Sequence, residues 1–144
     1  MFSKACEYGI RAIIYISQKS QDGHRVNLKS VAKAIDSPEA FTAKVLQSLA
    51  NNNIISSSKG SSGGYDIPEN RQSNITLFDV VNAIDGDTIY DKCGLGLQQC
   101  NPQKPCPMHY KFIAIRDNLK QMSQQTTIHD LTKELLQGTT CLKR

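Results

Sequence analysis

The chain has 144 residues, 39% hydrophobic and 21% charged, which is the size of one domain, or one domain with a helical extension, and apolar enough for an ordinary core. It holds no apolar run long enough to span a bilayer, and its start, MFSKACEYGIRAII, interleaves charges with apolar residues, which reads against a signal peptide and makes the cytoplasm the expected compartment. The net charge of +4 permits a nucleic-acid partner, whereas 6% aromatics and no tryptophan argue against an aromatic platform for stacked bases.

Residues from about Ser3 to Gln18 are expected to form a helix, because Phe2, Cys6, Ile10, Ile13 and Ile16 recur at helical spacing while Lys4, Glu7 and Arg11 lie off that stripe. Gln21 to Arg25 read as a turn. Asn27 caps a second, short helix carrying Leu28, Val31, Ala32 and Ile35 on one face, and Asp36 breaks it. Ser37-Pro38-Glu39 then starts a third helix: a capping hydroxyl, a proline in the first turn and an acid at the positive end of the dipole. This helix runs to about Asn51, and the pair makes a helix-turn-helix.

On the third helix Phe41, Val45 and Leu49 are expected inside. Ala40, Ala43, Lys44, Gln47 and Asn51 share the opposite face, small or polar, which suits a helix lying in a DNA major groove or an ordinary solvated surface. A hairpin should follow: a strand from Ile54 to Lys59, a turn at Gly60–Gly64, and a return strand Tyr65–Ile67 stopped by Pro68. A hairpin directly after such a helix is a wing, whose Lys59 and tip serines can bond phosphates while the glycines allow close backbone approach.

Glu69 to Asn74 read as a linker. Thr76 caps a helix with Leu77, Val80, Val81 and Ile84 inward, ended by Gly86. After Pro107 a long helix begins, and Phe112, Ile115, Leu119 and Met122 form a narrow stripe of the kind a dimer seam uses. A last short helix carries Ile128, Leu131, Leu135 and Leu136 and stops at Gly138. His24 and His129 read as surface residues.

Five cysteines is an odd number, and three of them crowd one Gly/Pro-rich run, CGLGLQQCNPQKPCPMH: Cys93, Cys100 and Cys106. In a reducing compartment such thiols are free, redox-active or metal ligands rather than a disulfide framework. Thiolates are soft ligands that suit iron–sulfur clusters or zinc, but zinc sites favour paired C-x2-C ligands and none is present. His109, just past the last cysteine, is a candidate further ligand, or a residue that caps or packs at the start of the long helix. Cys6, on the apolar stripe, reads as a core residue and Cys141 as a tail thiol. No P-loop, HExxH, dinucleotide glycine fingerprint or nucleophile elbow occurs, so an enzyme is not expected.

Taken in order, KACEYGIRAIIYIS, the helix-turn-helix ending in SPEAFTAKVLQSL, the wing SSSKGSSGGYDI, ITLFDVVNAIDG and the loop ending in CPMH resemble the Rrf2 family of bacterial transcription regulators over nearly the whole chain. The resemblance implies a mainly α fold with a small β-hairpin wing: a winged helix-turn-helix DNA-binding domain over residues 1–70, then a helical dimerisation region over 71–144 that holds the cysteine loop at about 91–109. It implies a homodimer on operator DNA, with contacts from Ala40, Phe41, Lys44 and Gln47 on the recognition helix and from Lys59, Ser61 and Ser62 on the wing. Ala43 departs from the acidic base-reading residue of some members. An iron–sulfur cluster, of the 2Fe–2S or 4Fe–4S type, is implied on Cys93, Cys100 and Cys106, and its state would set DNA affinity. Glu7 matches an acidic fourth ligand that some members supply from the partner's first helix; on the residues alone it is a solvated helix charge or a partner for Arg11. The spacing here is C-x6-C-x5-C, where many cluster-binding members have C-x5-C-x5-C. A cluster-free regulator switched by cysteine oxidation or a small ligand, and a zinc-stabilised interaction module, are the alternatives.

Overall fold

The structure is a computed structural model that describes residues 1–144. Helix α1, Lys4–Gln21, is longer than its apolar stripe suggests: Ser3 caps it by accepting the Cys6 N–H, and it ends only at Asp22. Cys6, Gly9, Ala12, Ile13, Ile16 and Ser17 are buried along it, and it is the central helix against which most of the other elements pack. Gly9 lets neighbours come close, because a Cβ there would collide with Ile84 and lie 3.2 Å from Val45.

Helix α2, Leu28–Ile35, is capped by Asn27, whose side-chain oxygen accepts the Ser30 N–H at 2.9 Å, and closes at Asp36 in the left-handed conformation (φ 52°). Helix α3, Glu39–Asn51, begins without the expected Ser37 cap: Pro38 occupies the cap position with no side-chain hydrogen bond, and the Ser37 hydroxyl instead pairs with that of Thr42. Its inward face is wider than expected, with Thr42, Val45, Leu46 and Leu49 all buried.

The wing is shorter than its sequence suggests. Strand β1 is only Ser56–Ser58, paired antiparallel with β2, Gly64–Asp66, in the register Ser57 to Tyr65. Ile54 and Ile55 are buried in the core instead of extending the strand, because they anchor the base of the wing. A further bridge ties β2 to the segment before α2: Tyr65 N–H donates to the Val26 carbonyl at 2.8 Å, and Val26 N–H donates back at 3.1 Å. Gly64, at φ 132°, is required there, since a Cβ would lie 2.6 Å from the Val26 carbonyl oxygen.

The expected linker holds a short helix, α4, Glu69–Gln72, whose Gln72 is fully buried. Helix α5, Leu77–Asp85, has a reciprocal capping box between Thr76 and Asp79. Helix α6, Thr88–Asp91, is an unforeseen turn that buries Tyr90. Helix α7, His109–Gln125, is the long one, and α8, Ile128–Leu136, repeats the capping box with Thr127 and Asp130. Thr76 and Thr127 form an isolated bridge, so the starts of α5 and α8 are hydrogen-bonded side by side.

One core cluster draws on both halves of the chain: Ile13, Ile16, Val31, Ile35, Leu46, Leu49 and Ile67 pack with Ile75, Val80 and Ile128. Each such fully buried aliphatic side chain contributes roughly 1.5–3 kcal/mol of transfer free energy. A smaller cluster of Cys6, Leu77, Val81 and Tyr90 lies beneath α7, with Leu119 against it. No helix is long and apolar enough to cross a membrane.

Candidate nucleic-acid interface and cysteine cluster

The outer face of α3 carries Ala40, Lys44, Gln47 and Asn51, all exposed, while Ala43 is half-buried. Phe41 is turned inward and half-buried, its ring edge-on to Tyr8 at 5.6 Å between centroids. At the wing tip Lys59, Ser61 and Ser62 are exposed. Lys44 and Lys59 take part in no ion pair, so their charges are available to an anionic partner. At the base of the wing Arg25 faces Asp66 at 3.7 Å.

The loop cysteines lie before the head of α7, Cys100 beside His109 and Cys93 under the influence of Cys106. Cys93 is buried, at 6% exposure, and Cys100 and Cys106 are half-buried. The backbone N–H groups of Leu95 and Leu97 donate toward the Cys93 sulfur and hold its pKa below the usual thiol value, with Cys106 and Arg116 adding to the effect. Cys100 Sγ lies 3.3 Å from His109 Nδ1 and accepts a hydrogen bond from Arg116 Nη2 at 3.2 Å. His109 is 3% exposed, and its Nε2 is buried without a partner. The loop rests on α7 through Gly94, where a Cβ would lie 2.5 Å from the Phe112 ring. Cys93 also lines an open hollow of about 400 Å³ shared with Ser3, Asp85 and Lys92.

The chemistry of this donor set, three thiols and an imidazole with a free nitrogen, fits a soft metal centre. The geometry is that of a hydrogen-bonded cluster: no three Cys, His, Asp or Glu side chains converge into a metal-holding group. Glu7 stands apart on α1 and pairs with Lys4 at 2.7 Å; Arg11, its expected partner, instead lies 4.7 Å from the centre of the Tyr8 ring and donates to the Ile35 carbonyl. Cys6 is fully buried, and burial, reinforced by Asp85, pushes its thiol up to about 12, so it is an inert core residue. Cys141 is exposed on the tail. His129 is half-buried rather than on the surface, with Nδ1 unpartnered.

Arg116 is the residue that sequence reasoning missed. The available signal was its position seven residues after His109, which places both on one face of α7. The expected dimer stripe is also divided. Ile115 and Met122 are exposed, at 62% and 43%, whereas Phe112 and Leu119 are half-buried against their own chain.

The model of the Rrf2 family, described as an iron-dependent transcriptional regulator, matches residues 2–134. A chain of Aquifex aeolicus (strain VF5) assigned as an HTH-type transcriptional regulator is 26% identical over 133 residues, covering 91% of this chain and 90% of the relative. Among solved structures, CymR (YrzC), the global cysteine regulator of B. subtilis, superposes with a TM-score of 0.76 at 22% identity, covering 92% of this chain and 96% of that one. The IscR of T. potens superposes with a TM-score of 0.74 at 16% identity, covering 98% and 92%. Both likenesses carry the winged-helix fold, and the relatives are regulators rather than enzymes. The chain belongs to the Rrf2 family of transcription regulators.

Proposed function

We propose that the chain works in the cytoplasm as a homodimer on operator DNA, with an affinity set by chemistry at its cysteine loop. Residues 1–70 form the reading unit: Ala40, Lys44 and Gln47, backed by Phe41, enter the major groove, and Lys59, Ser61 and Ser62 meet phosphates beside it. Residues 71–144 form the sensing and pairing unit, with Ile115 and Met122, seven residues apart on α7, as the exposed part of the seam. The observation that carries the sensing reading is the pairing of Cys100 with His109 and Arg116, in the same loop as Cys93 and Cys106, at the head of that helix.

The leading occupant is an iron–sulfur cluster held by Cys93, Cys100 and Cys106. The fourth position would fall to His109, whose Nε2 has no partner, or to Glu7 of the partner subunit. When bound, it supplies a centre sensitive to oxidants and nitric oxide. This chain's residues do the rest: Arg116 donates a hydrogen bond to Cys100, and Phe112 supports the loop at Gly94. A second reading, a cluster-free thiol switch, is favoured by the influence of Cys106 on Cys93, whose pKa it helps to lower, and by the likeness to a cysteine regulator. In it the two thiols give two electrons and two protons to a hydroperoxide, which leaves as an alcohol and water, and a disulfide forms.

An anaerobic visible spectrum of freshly purified protein, with iron and acid-labile sulfide measured on the same sample, separates the two. Absorbance with matched iron and sulfide supports the cluster; a colourless protein that resists reconstitution removes it. DNA reading is tested by Lys59→Ala, which should weaken binding at all sequences. If Lys59 neutralises one phosphate, the slope of log affinity against log salt should become shallower by about 0.9. An unchanged slope would remove Lys59 from the interface.

A further inference from the structure

Arg116 reaches three acceptors that belong to two different parts of the chain. Its Nη1 donates to the Asp91 carbonyl at 2.9 Å and to the Lys92 carbonyl, and its Nη2 donates to Cys100 Sγ at 3.2 Å. Asp91 and Lys92 are the last residue and the C-cap of α6, a four-residue helix whose final carbonyls have no helical partner. Lys92 also immediately precedes Cys93. One guanidinium on α7 therefore pins the entry of the cysteine loop and its middle at the same time.

We propose that Arg116 is a positioning residue through which a chemical change at Cys100 reaches the α6–α7 scaffold. The inference rests on reading the cysteine loop as the sensing element. A free thiol or thiolate accepts a hydrogen bond from a guanidinium. The neutral sulfur of a thioether or disulfide is a weak acceptor. Oxidation of Cys100 to a disulfide, or its alkylation, thus weakens one of three partners of a cation that is half-buried and whose Nε already has none. The planar fork matters, because an ammonium in its place presents donors from a single point and does not span two backbone carbonyls and a sulfur. Arg116 also adjoins Ile115, which is 62% exposed on the proposed seam, so the same change is felt where two copies would meet.

The test is a double-mutant cycle on the full chain, kept reduced and anaerobic, with Cys100→Ala, Arg116→Ala and the double variant. The readout is amide hydrogen exchange over residues 88–100. Arg116→Ala should speed exchange at the end of α6 at least about tenfold, since it removes both charge-assisted hydrogen bonds to the Asp91 and Lys92 carbonyls. Cys100→Ala should give a smaller increase, and none when added to Arg116→Ala. Arg116→Lys should behave as Arg116→Ala does, and it keeps the test sound if the alanine variant folds poorly. Equal effects of Cys100→Ala in both backgrounds would overturn the proposal, as would an α6 terminus that does not respond to Arg116→Ala or Arg116→Lys. Operator affinity measured on the same proteins keeps the two ideas apart. A coupled cycle with no change in affinity for Cys100→Ala sinks the sensing reading and leaves the latch. A changed affinity with an additive cycle does the reverse.

Discussion

Gln72 is the most consequential polar residue of the core. Its side chain is fully buried, its Nε2 donates to the Ile67 carbonyl at 3.0 Å and the Ser17 carbonyl at 3.3 Å, and its Oε1 accepts from Gln21 Nε2 at 2.9 Å. Ile67 follows directly after β2, so this amide ties the returning wing strand to α1. Gln72→Met keeps nearly the same volume and removes both functions. The Ser17 carbonyl keeps its helical partner, and the half-buried Gln21 amide can turn to water. The Ile67 carbonyl loses a donor in a dry interior, and a buried group without a partner costs about 1–3 kcal/mol. With a urea dependence of about 2 kcal/mol per molar, a loss of about 2 kcal/mol lowers the unfolding midpoint by about 1 M. The assay is urea denaturation followed by circular dichroism, at fixed protein concentration because the proposed dimerisation would add to stability. Operator binding on the same variant should weaken as the wing loosens. A midpoint shift below about 0.3 M would refute the assignment of Gln72 as the wing anchor.

Ile115→Asp should leave the fold intact and shift sedimentation to the monomer, with operator affinity falling as the two half-sites lose their linkage; a variant that still sediments as a dimer would move the seam elsewhere. Cys6 links stability to alkaline pH. Its folded-state pKa is raised from 9.0 to about 12 by burial, so between those values the unfolded chain has lost the proton and the folded one keeps it. Its contribution is therefore complete below pH 9 and is lost as pH rises toward 12. Cys6→Ala should make the decline of stability over that range shallower, and an unchanged slope in denaturation at successive pH values would show that the thiol is less buried than described.

Local chemistry was legible wherever one segment carries its own instructions. The caps Asn27 and Thr76 and the apolar period of α1, α2 and α5 are decided by hydrogen bonds and faces within a few residues, so they could be read directly. The same holds for the wing: its Gly-Ser turn between two short β segments specifies a hairpin whatever surrounds it. The three cysteines raise the expectation of a chemical site, because thiols rarely gather in a poorly packing loop without use. What lay outside the sequence were pairings between distant positions. Ile54 and Ile55 left the strand because the core beneath α1 offered them burial. Ser37 turned from capping to Thr42 because Pro38 already held the cap position. Gln72 became a core residue because three polar groups from α1 and the wing converge on it. Phe112 and Leu119 share a helical stripe with Ile115 and Met122, and periodicity treats all four alike. The docking of α6 and the cysteine loop along one edge of α7 covers two of them and leaves two bare, and it brings Arg116 to Cys100 across a separation of 16 residues. Periodicity names the face a residue lies on, but only packing decides what that face meets.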